Sequence, residues 1–567
     1  MKDENGFKIT RLIQKLKIER IKVTKLRQKM KIKQQRVRRL QSKVNSLKEL
    51  LDTLKKNHLI SDHTQEKLEG KFSGISDEIF RRLRKQKKSG SGLKYSPVLK
   101  SFALTLQFYS SKAYNFVRKM FNLALPHPNV ISKWYSKIPA EPGFTEPAFK
   151  ALSIKVDEAK KQDKMVLTSL MLDEMSIKKH VAWDHTRFRG YIDVGDGCSD
   201  DDTEVATDAL VFMVVSLDGS FKVPIAYFFI KGMSGKEKAN LVLIAIEKLA
   251  DIGVNVVSLT CDGPSAHFAM MRELGASLDP NSMKTFFTSN SKKIYVFLDI
   301  CHMLKLVRNI LNKHVLIDED GNQICWRFIG ELAKLQEREG LKLGNKLRMA
   351  HVNFEQQKMK VNLAAQALSS SVATAIEYCD KQLKLPQFKD SEATVKFIRT
   401  IDSLFDILNS KNPFAKGYKC ALKPDNCHVW GPFLEQSYSY LSKLKNVIGT
   451  PIYKTKQKTG FVGFMAAIPS TKGLFSDLVA QSDSQLKYLL MYKFSQDHLE
   501  LFFGGIRAAG GSNNNPTAQQ FVGIYKRMLL RSSIGGNIKY MYKNIRARCA
   551  RSFLLLQRAP AFSQCSK

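Results

Sequence analysis

The pattern between residues 165 and 310 constrains the fold more than any other part of the chain. Apolar runs at Leu167–Asp173, Leu210–Leu217, Lys222–Ile230, Val254–Cys261 and Lys293–Leu298 have strand length and are rich in β-branched and aromatic residues. Asp218-Gly219, between the second and third, is a hairpin-turn dipeptide. Helix-period stretches then separate the runs. Lys236–Ile252 places Leu241, Leu243, Ile244, Ile246 and Leu249 at helical spacing. A second helix passes through Met270 and Met271, and a third carries Leu304, Leu306, Val307 and Ile310. The order is β-β-β-α-β-α-β-α. Strands joined by short turns pair antiparallel, whereas strands joined through helices run parallel. The chain is therefore predicted to build a mixed α/β sheet, with the type and order of elements expected for a ribonuclease H-like domain.

Three of these strands end in acid. Met165–Lys178 is an apolar run that closes on Asp173 and Glu174, Val254–Cys261 leads into Asp262, and the fifth strand leads into Asp299. A strand end holds a carboxylate on rigid backbone, which suits metal binding or proton transfer. Taken alone, each such Asp reads equally as a turn residue. Neighbours on a strand face opposite ways, so one member of the Asp173/Glu174 pair faces a shared site. Asp173 is the choice, with Glu174 turned away. Much later, Asp497-His498-Leu499-Glu500 falls in 484–506, which reads as an amphipathic helix. A helix packed over the strand ends would bring Glu500 to Asp173 and Asp262, while His498 reads as structural. Like charges so close repel unless a cation lies between them. Two Mg2+ ions about 4 Å apart answer that repulsion and activate a water or a 3′-hydroxyl for attack on a phosphodiester.

Charge points to the partner. The formal net charge is +39 over 567 residues, which attracts a polyanion and favours nucleic acid. No apolar run approaches the roughly 20 residues needed to span a bilayer, so no membrane partner is expected. The nine cysteines are odd in number and contain no Cys-x-x-Cys, which suits a reducing compartment. Cys301-His302 and Cys427-His428 read as packing rather than zinc ligation. Residues 9–54 carry an apolar heptad, cleanest from Val37 to Leu54, with Val37 and Val44 at a positions. This predicts a basic coiled coil over 1–60, holding 19 Lys/Arg against 5 Asp/Glu, and a homodimer or larger self-assembly. Residues 61–93 form a linker, in which Arg81–Lys88 has the composition of a nuclear import signal. Ser96-Pro97 opens the first of three short helices within 94–140, a helix-turn-helix pattern with Lys100, Lys112, Arg118, Lys119, Lys133 and Lys137 outside. The acidic stretch 194–207 matches no EF-hand loop and reads as solvated. The sheet domain occupies 160–300 and 486–530, split by a helical insertion over 301–485 that includes an Ala/Ser-rich helix at Leu363–Tyr378. A basic helical tail covers 531–567.

These motifs carry a resemblance. Leu172-Asp173-Glu174-Met175-Ser176-Ile177 resembles the first-Asp motif of P element-type DNA transposases, whose vertebrate relatives carry an N-terminal THAP zinc finger. Ser258–Gly263 resembles their second-Asp strand, and Asp497–Phe503 with Ile506-Arg507 and the Gly/Asn/Pro-Thr turn resembles their Glu helix. Asp299–Lys305 and Tyr95–Tyr135 are also similar. The resemblance implies a nuclear cut-and-paste transposase acting on transposon-end and target DNA, with Asp173, Asp262 and Glu500 as its metal-binding catalytic acids. It further implies GTP bound by the insertion, through Lys346, Lys360, Phe405, Asp406 and Asn409, with Asp497 beside them. The stretch around Lys346 is no P-loop, and Arg348 stands where an Asn-Lys-x-Asp motif has its base-reading Asp. The finger needs paired cysteines, yet no cysteine precedes Cys198, so a chain without that finger is expected. Two rivals are a catalytically silent, host-adopted DNA-binding and dimerising regulator, and a GTP-regulated nucleic-acid binder. Retention of all three acids favours the enzyme.

Overall fold

The computed structural model describes residues 95–184, 187–195, 204–481, 484–509 and 513–533, with scattered positions before 95. The predicted coiled coil as a whole, nearly all of the 61–93 linker, most of the acidic stretch and the tail beyond 533 lie outside the described residues. The chain divides into two units, Met1–Lys137 with Asn537–Lys567, and Ile138–Gly536.

In the first unit, α1 (Pro97–Tyr109), α2 (Ser111–Met120) and α3 (Pro128–Ser136) follow from local capping. The Ser96 hydroxyl accepts the Leu99 N–H at 3.2 Å, and the Ser110 hydroxyl accepts that of Ala113 at 3.0 Å. Pro97 and Pro128 occupy first-turn positions where a missing N–H costs nothing. Leu99, Phe102, Leu106, Tyr114, Val117 and Ile131 are buried. The Tyr114 hydroxyl donates to the Pro126 carbonyl at 2.6 Å, and that of Tyr135 to Leu104 at 3.3 Å, which tie the three helices together.

The second unit is built on a seven-stranded sheet. In chain order its strands are β1 (Gly143–Phe144), β2 (Val166–Ser176), β3 (Asp208–Ser216), β4 (Lys222–Ile230), β5 (Val254–Cys261), β6 (Phe286–Ser289) and β7 (Lys292–Leu298). Their order in the sheet is β1-β4-β3-β2-β5-β7-β6. β2, β3 and β4 form the antiparallel meander, and β2-β5-β7 the parallel part. This is the α/β, ribonuclease H-like arrangement expected from the element order. The edge strands β1 and β6 were not anticipated, because two and four residues are too short to show a period. β3 and β4 are buried at nearly every position, which explains why they read as continuous apolar runs rather than alternating ones.

Helices α4 (Glu146–Lys160) and α5 (Gly235–Asp251) pack on this sheet. A reciprocal capping box between Ser234 and Glu237 opens α5. α6 (Ser265–Glu273) follows β5, and α7 (Ile300–Lys313) follows β7. The insertion continues through α8 (Arg327–Arg338), α9 (Val361–Ala367), α10 (Ser370–Lys381), α11 (Glu392–Leu408), α12 (Cys427–Lys443) and α13 (Thr459–Leu478), with three two-residue strands among them. α14 (Asp497–Ala509) and α15 (Ala518–Ser533) then return to the sheet. Tyr525 of α15 packs on Tyr227 of β4 and on Phe502 of α14, and these rings hold both helices there.

Two helical expectations are corrected. Leu363–Tyr378 is two helices, because Asp402 of α11 accepts both the N–H and the hydroxyl of Ser370, at 2.8 and 2.6 Å, and restarts the helix. The stretch 484–506 is α-helical only from Asp497, with one 3-10 turn at Met491–Phe494 before it. Upstream, Leu489 pairs with Leu422, and Ser410 takes the N–H groups of Met491 and Tyr492 at 3.2 Å each, so that backbone is committed to the insertion.

Candidate active site

The parallel strands bring the acids together. Continuing the pairing of Met171 with Thr260 by two residues sets Asp173 beside Asp262. Continuing that of Cys261 with Leu298 by one sets Asp262 beside Asp299. Asp173, Asp262 and Asp299 thus lie one or two residues past the last paired positions of adjacent strands, which are spaced about 4.8 Å apart. α14 packs against β2 and β3 and places Glu500, exposed, in its first turn.

Sequence reasoning missed how that helix is held. Gln496, buried just before α14, donates from Nε2 to the Leu172 carbonyl at 2.7 Å. Its backbone N–H donates to Asp299 Oδ1 at 3.0 Å, and its carbonyl accepts the Glu500 N–H at 2.9 Å. The parallel ladder between β2 and β5 stops at Met171, which leaves the Leu172 carbonyl free for this side chain. Asp299 Oδ2 caps α7 through the His302 N–H at 2.8 Å. Asp299 therefore anchors two helices.

The electrostatics record the crowding. Burial pushes the Asp173 carboxyl up to about 8, Asp262, Asp299 and Glu500 add repulsion, and the Glu174 N–H at 2.8 Å works against the rise. Burial also raises Asp299, to about 6, against its two backbone donors. Asp262 behaves oppositely. Burial works to raise its pKa, but His267 outweighs that and holds it below the ordinary carboxylate value. His267 Nδ1 lies 2.6 Å from Asp262 Oδ1 and 3.1 Å from the Asp262 carbonyl. Its N–H is aligned on the carbonyl, so the approach to Oδ1 is a charge contact, and that buried oxygen has no aligned donor. Glu174 faces away from Asp173, as expected from strand alternation, and pairs with buried Lys238 at 2.6 Å. His498 is buried, with Nδ1 3.3 Å from Lys222 Nζ. Burial, with Lys222 and Lys493, pulls its pKa down to about 4, which keeps the ring neutral inside the fold.

Of the residues considered for nucleotide binding, Phe405, Asp406 and Asn409 share the C-terminal end of α11. Burial raises Asp406 to about 6, with Asp402 adding to it and Lys419 opposing it. Asp497 reaches the same region through Lys411, whose Nζ lies 2.9 Å from its Oδ2. Lys346 and Lys360 are exposed, on the segments leading to α9, and among the described residues no hydrogen bond or ion pair joins them to that group. A cleft of about 580 Å³ opens at Asp262 and runs along α7, with Lys313, Lys358 and Lys456 on its walls. The buried Cys301 thiol lies 3.5 Å from Asp497 Oδ1, and Cys427 is exposed. Among the described residues no group of three or more His, Cys, Asp or Glu side chains is drawn in to ligand spacing.

Comparison with known proteins bears on this geometry. Four family models match the chain. They are a transposable element P transposase-like HTH domain at 53–134, a TNP-like RNase H N-terminal domain at 140–275, a TNP-like GTP-binding insertion domain at 301–421 and a TNP-like RNase H C-terminal domain at 492–526. The human protein DNA transposase THAP9 is 34% identical over 485 residues, which is 84% of this chain and 52% of that protein. The Drosophila melanogaster transposable element P transposase is 26% identical over 428 residues, 74% of this chain and 52% of its own length. The chain thus spans about half the length of the curated relatives it matches. A solved structure of the Drosophila P element transposase strand transfer complex superposes with a TM-score of 0.66 at 23% identity, covering 84% of this chain and 98% of that one, which shows a shared fold.

Proposed function

The chain belongs to the P element-type transposase family, and from that premise we propose that it cleaves and joins DNA strands by divalent-metal phosphodiester chemistry. What supports this reading is that Asp173 and Asp262 follow paired positions on adjacent strands, and that Asp262 and Glu500 of α14 both add repulsion on Asp173. The residues fit cations. Asp173 is pressed by three like charges, and the Asp262 carboxylate keeps a buried oxygen without an aligned donor. Asp173, Asp262 and Glu500 would hold two Mg2+ ions, which when bound supply Lewis-acid activation of a water or a 3′-hydroxyl.

The protein's own groups do the remainder. Gln496 and Asp299 fix the start of α14, and so the reach of Glu500. The basic cleft beside Asp262 suits a phosphate backbone. The helix-turn-helix unit supplies a second DNA contact. GTP would bind the insertion near Phe405, Asp406, Asn409 and Asp497, with Lys346 and Lys360 drawn in by its phosphates. The protein would work in the nucleus, on transposon-end and target DNA, as a dimer or larger assembly through the predicted coiled coil.

The test is nicking and strand joining of transposon-end DNA in Mg2+. Asp173→Asn, Asp262→Asn and Glu500→Gln should each remove activity by at least about 100-fold while leaving the fold intact. Activity retained in Asp173→Asn defeats the assignment. Full-length wild type that binds this DNA but never cuts it defeats the enzymatic reading.

A further inference from the structure

A line of charge runs behind Asp262 that the acids do not explain. Glu174 of β2 pairs with Lys238 of α5 at 2.6 Å, and Lys238 Nζ lies 3.4 Å from His267 Nε2 of α6. His267 Nδ1 then meets both the carbonyl and the carboxylate of Asp262, at 3.1 and 2.6 Å. Lys238 is 4% exposed and His267 1%, so neither is a surface charge placed by chance. Burying an ammonium group costs several kcal/mol unless it is paired, and here the pairing partners lead stepwise to one carboxylate. Lys238 has no acceptor capacity, so beside it the neutral imidazole carries its proton on Nδ1, against Asp262. The protonated ring also donates from Nδ1. In either state a donor faces Asp262, and a donor touching both backbone and side chain of one residue restricts that side chain's torsion. Among the described residues Asp262 Oδ2 accepts no side-chain or backbone hydrogen bond.

We propose that Glu174, Lys238 and His267 are positioning residues that hold the Asp262 carboxylate in its cation-binding orientation. The pair Asp173-Glu174 then has two jobs: the first residue faces the cations, and the second anchors, through α5 and α6, the other acid that faces them. This rests on the reading of Asp262 as a cation ligand. Outer partners of this kind typically tune metal affinity by 10- to 100-fold.

The experiment uses the full chain and Mn2+ as the probe, with affinity read by the electron paramagnetic resonance signal of free Mn2+ and the fold checked by circular dichroism and thermal melting. His267→Gln and Lys238→Met should weaken Mn2+ binding by about 10-fold or more, with Lys238→Arg restoring most of it. Glu174→Gln changes a part-exposed carboxylate, so it keeps the test valid if the buried variants fail to fold. It should weaken binding about 3-fold, and combined with Lys238→Met it should add nothing to that single change, because the two act through one chain. In cleavage assays the variants should need more Mg2+ for half-maximal rate, with a kcat at saturating Mg2+ close to wild type. Variants that melt earlier but bind Mn2+ as wild type does would show a merely structural ion pair and overturn the proposal. If wild type itself binds no Mn2+, the underlying reading of Asp262 fails instead, and the two failures are distinguishable.

Discussion

Asp173→Asn should make the metal-free protein more stable while abolishing its response to metal. The half-buried carboxyl has its pKa pushed to about 8 in the folded state, by desolvation first and then by Asp262, Asp299 and Glu500. In the unfolded chain the value is about 3.9. A folded pKa above the unfolded one penalises the folded state once the group must ionise. The penalty is absent below about pH 4, grows through the window from about 4 to 8, and is constant above it. At pH 7 the gap is about three units at about 1.4 kcal/mol each, an upper value of about 4 kcal/mol, which solvent at a half-buried carboxyl reduces to about 2. Asn keeps the shape without the charge. In EDTA its urea midpoint should therefore exceed that of wild type at pH 7.5, and the two should converge as pH falls below about 4. Adding Mn2+ should raise the wild-type midpoint and leave the variant where it was. A variant less stable than wild type at pH 7.5 in EDTA, or a difference that does not change with pH, would refute the electrostatic reasoning.

Asp299→Ala strips the acceptor from the buried Gln496 N–H and the part-buried His302 N–H, and should cost about 2–4 kcal/mol in urea denaturation; an unchanged midpoint contradicts its anchoring role. Tyr525→Phe removes the hydroxyl that meets Thr145 Oγ1 at 3.0 Å, and should cost about 1–2 kcal/mol with cleavage rate preserved. Gly473→Ala on α13 would gain up to about 1 kcal/mol from helix propensity, but the added methyl meets the Tyr295 ring, so a net loss of about 1–3 kcal/mol is expected in thermal melting.

What the sequence carried, and what it did not, follows from range. β2 and β5 were readable because long apolar runs end abruptly in Asp173 and Asp262, and strand alternation separated Asp173 from Glu174. Asp299 was visible as a strand end, but its task was not, since its acceptors serve His302 three residues away and Gln496 at a separation of 197. Gln496 gave no signal at all. Its contact with Leu172 spans 324 residues, and a polar residue before a helix is unremarkable by pattern. The stretch before Asp497 has helical spacing of apolar residues, yet its backbone hydrogen bonds go to Ser410 and Leu422, partners that no local window contains. Lys238 and His267 likewise sit on helices whose periodicity reports only which face is buried, not that two charged groups were buried together.

The central claim is that Asp173, Asp262 and Glu500 share divalent cations. Anomalous diffraction from crystals of the full chain soaked in Mn2+ tests it most directly. The account predicts Mn2+ density bounded by the carboxylates of Asp173 and Asp262, within reach of Glu500, and its loss in Asp173→Asn crystals. Ordered Mn2+ elsewhere on the chain, with these three carboxylates clear of it, would contradict the account.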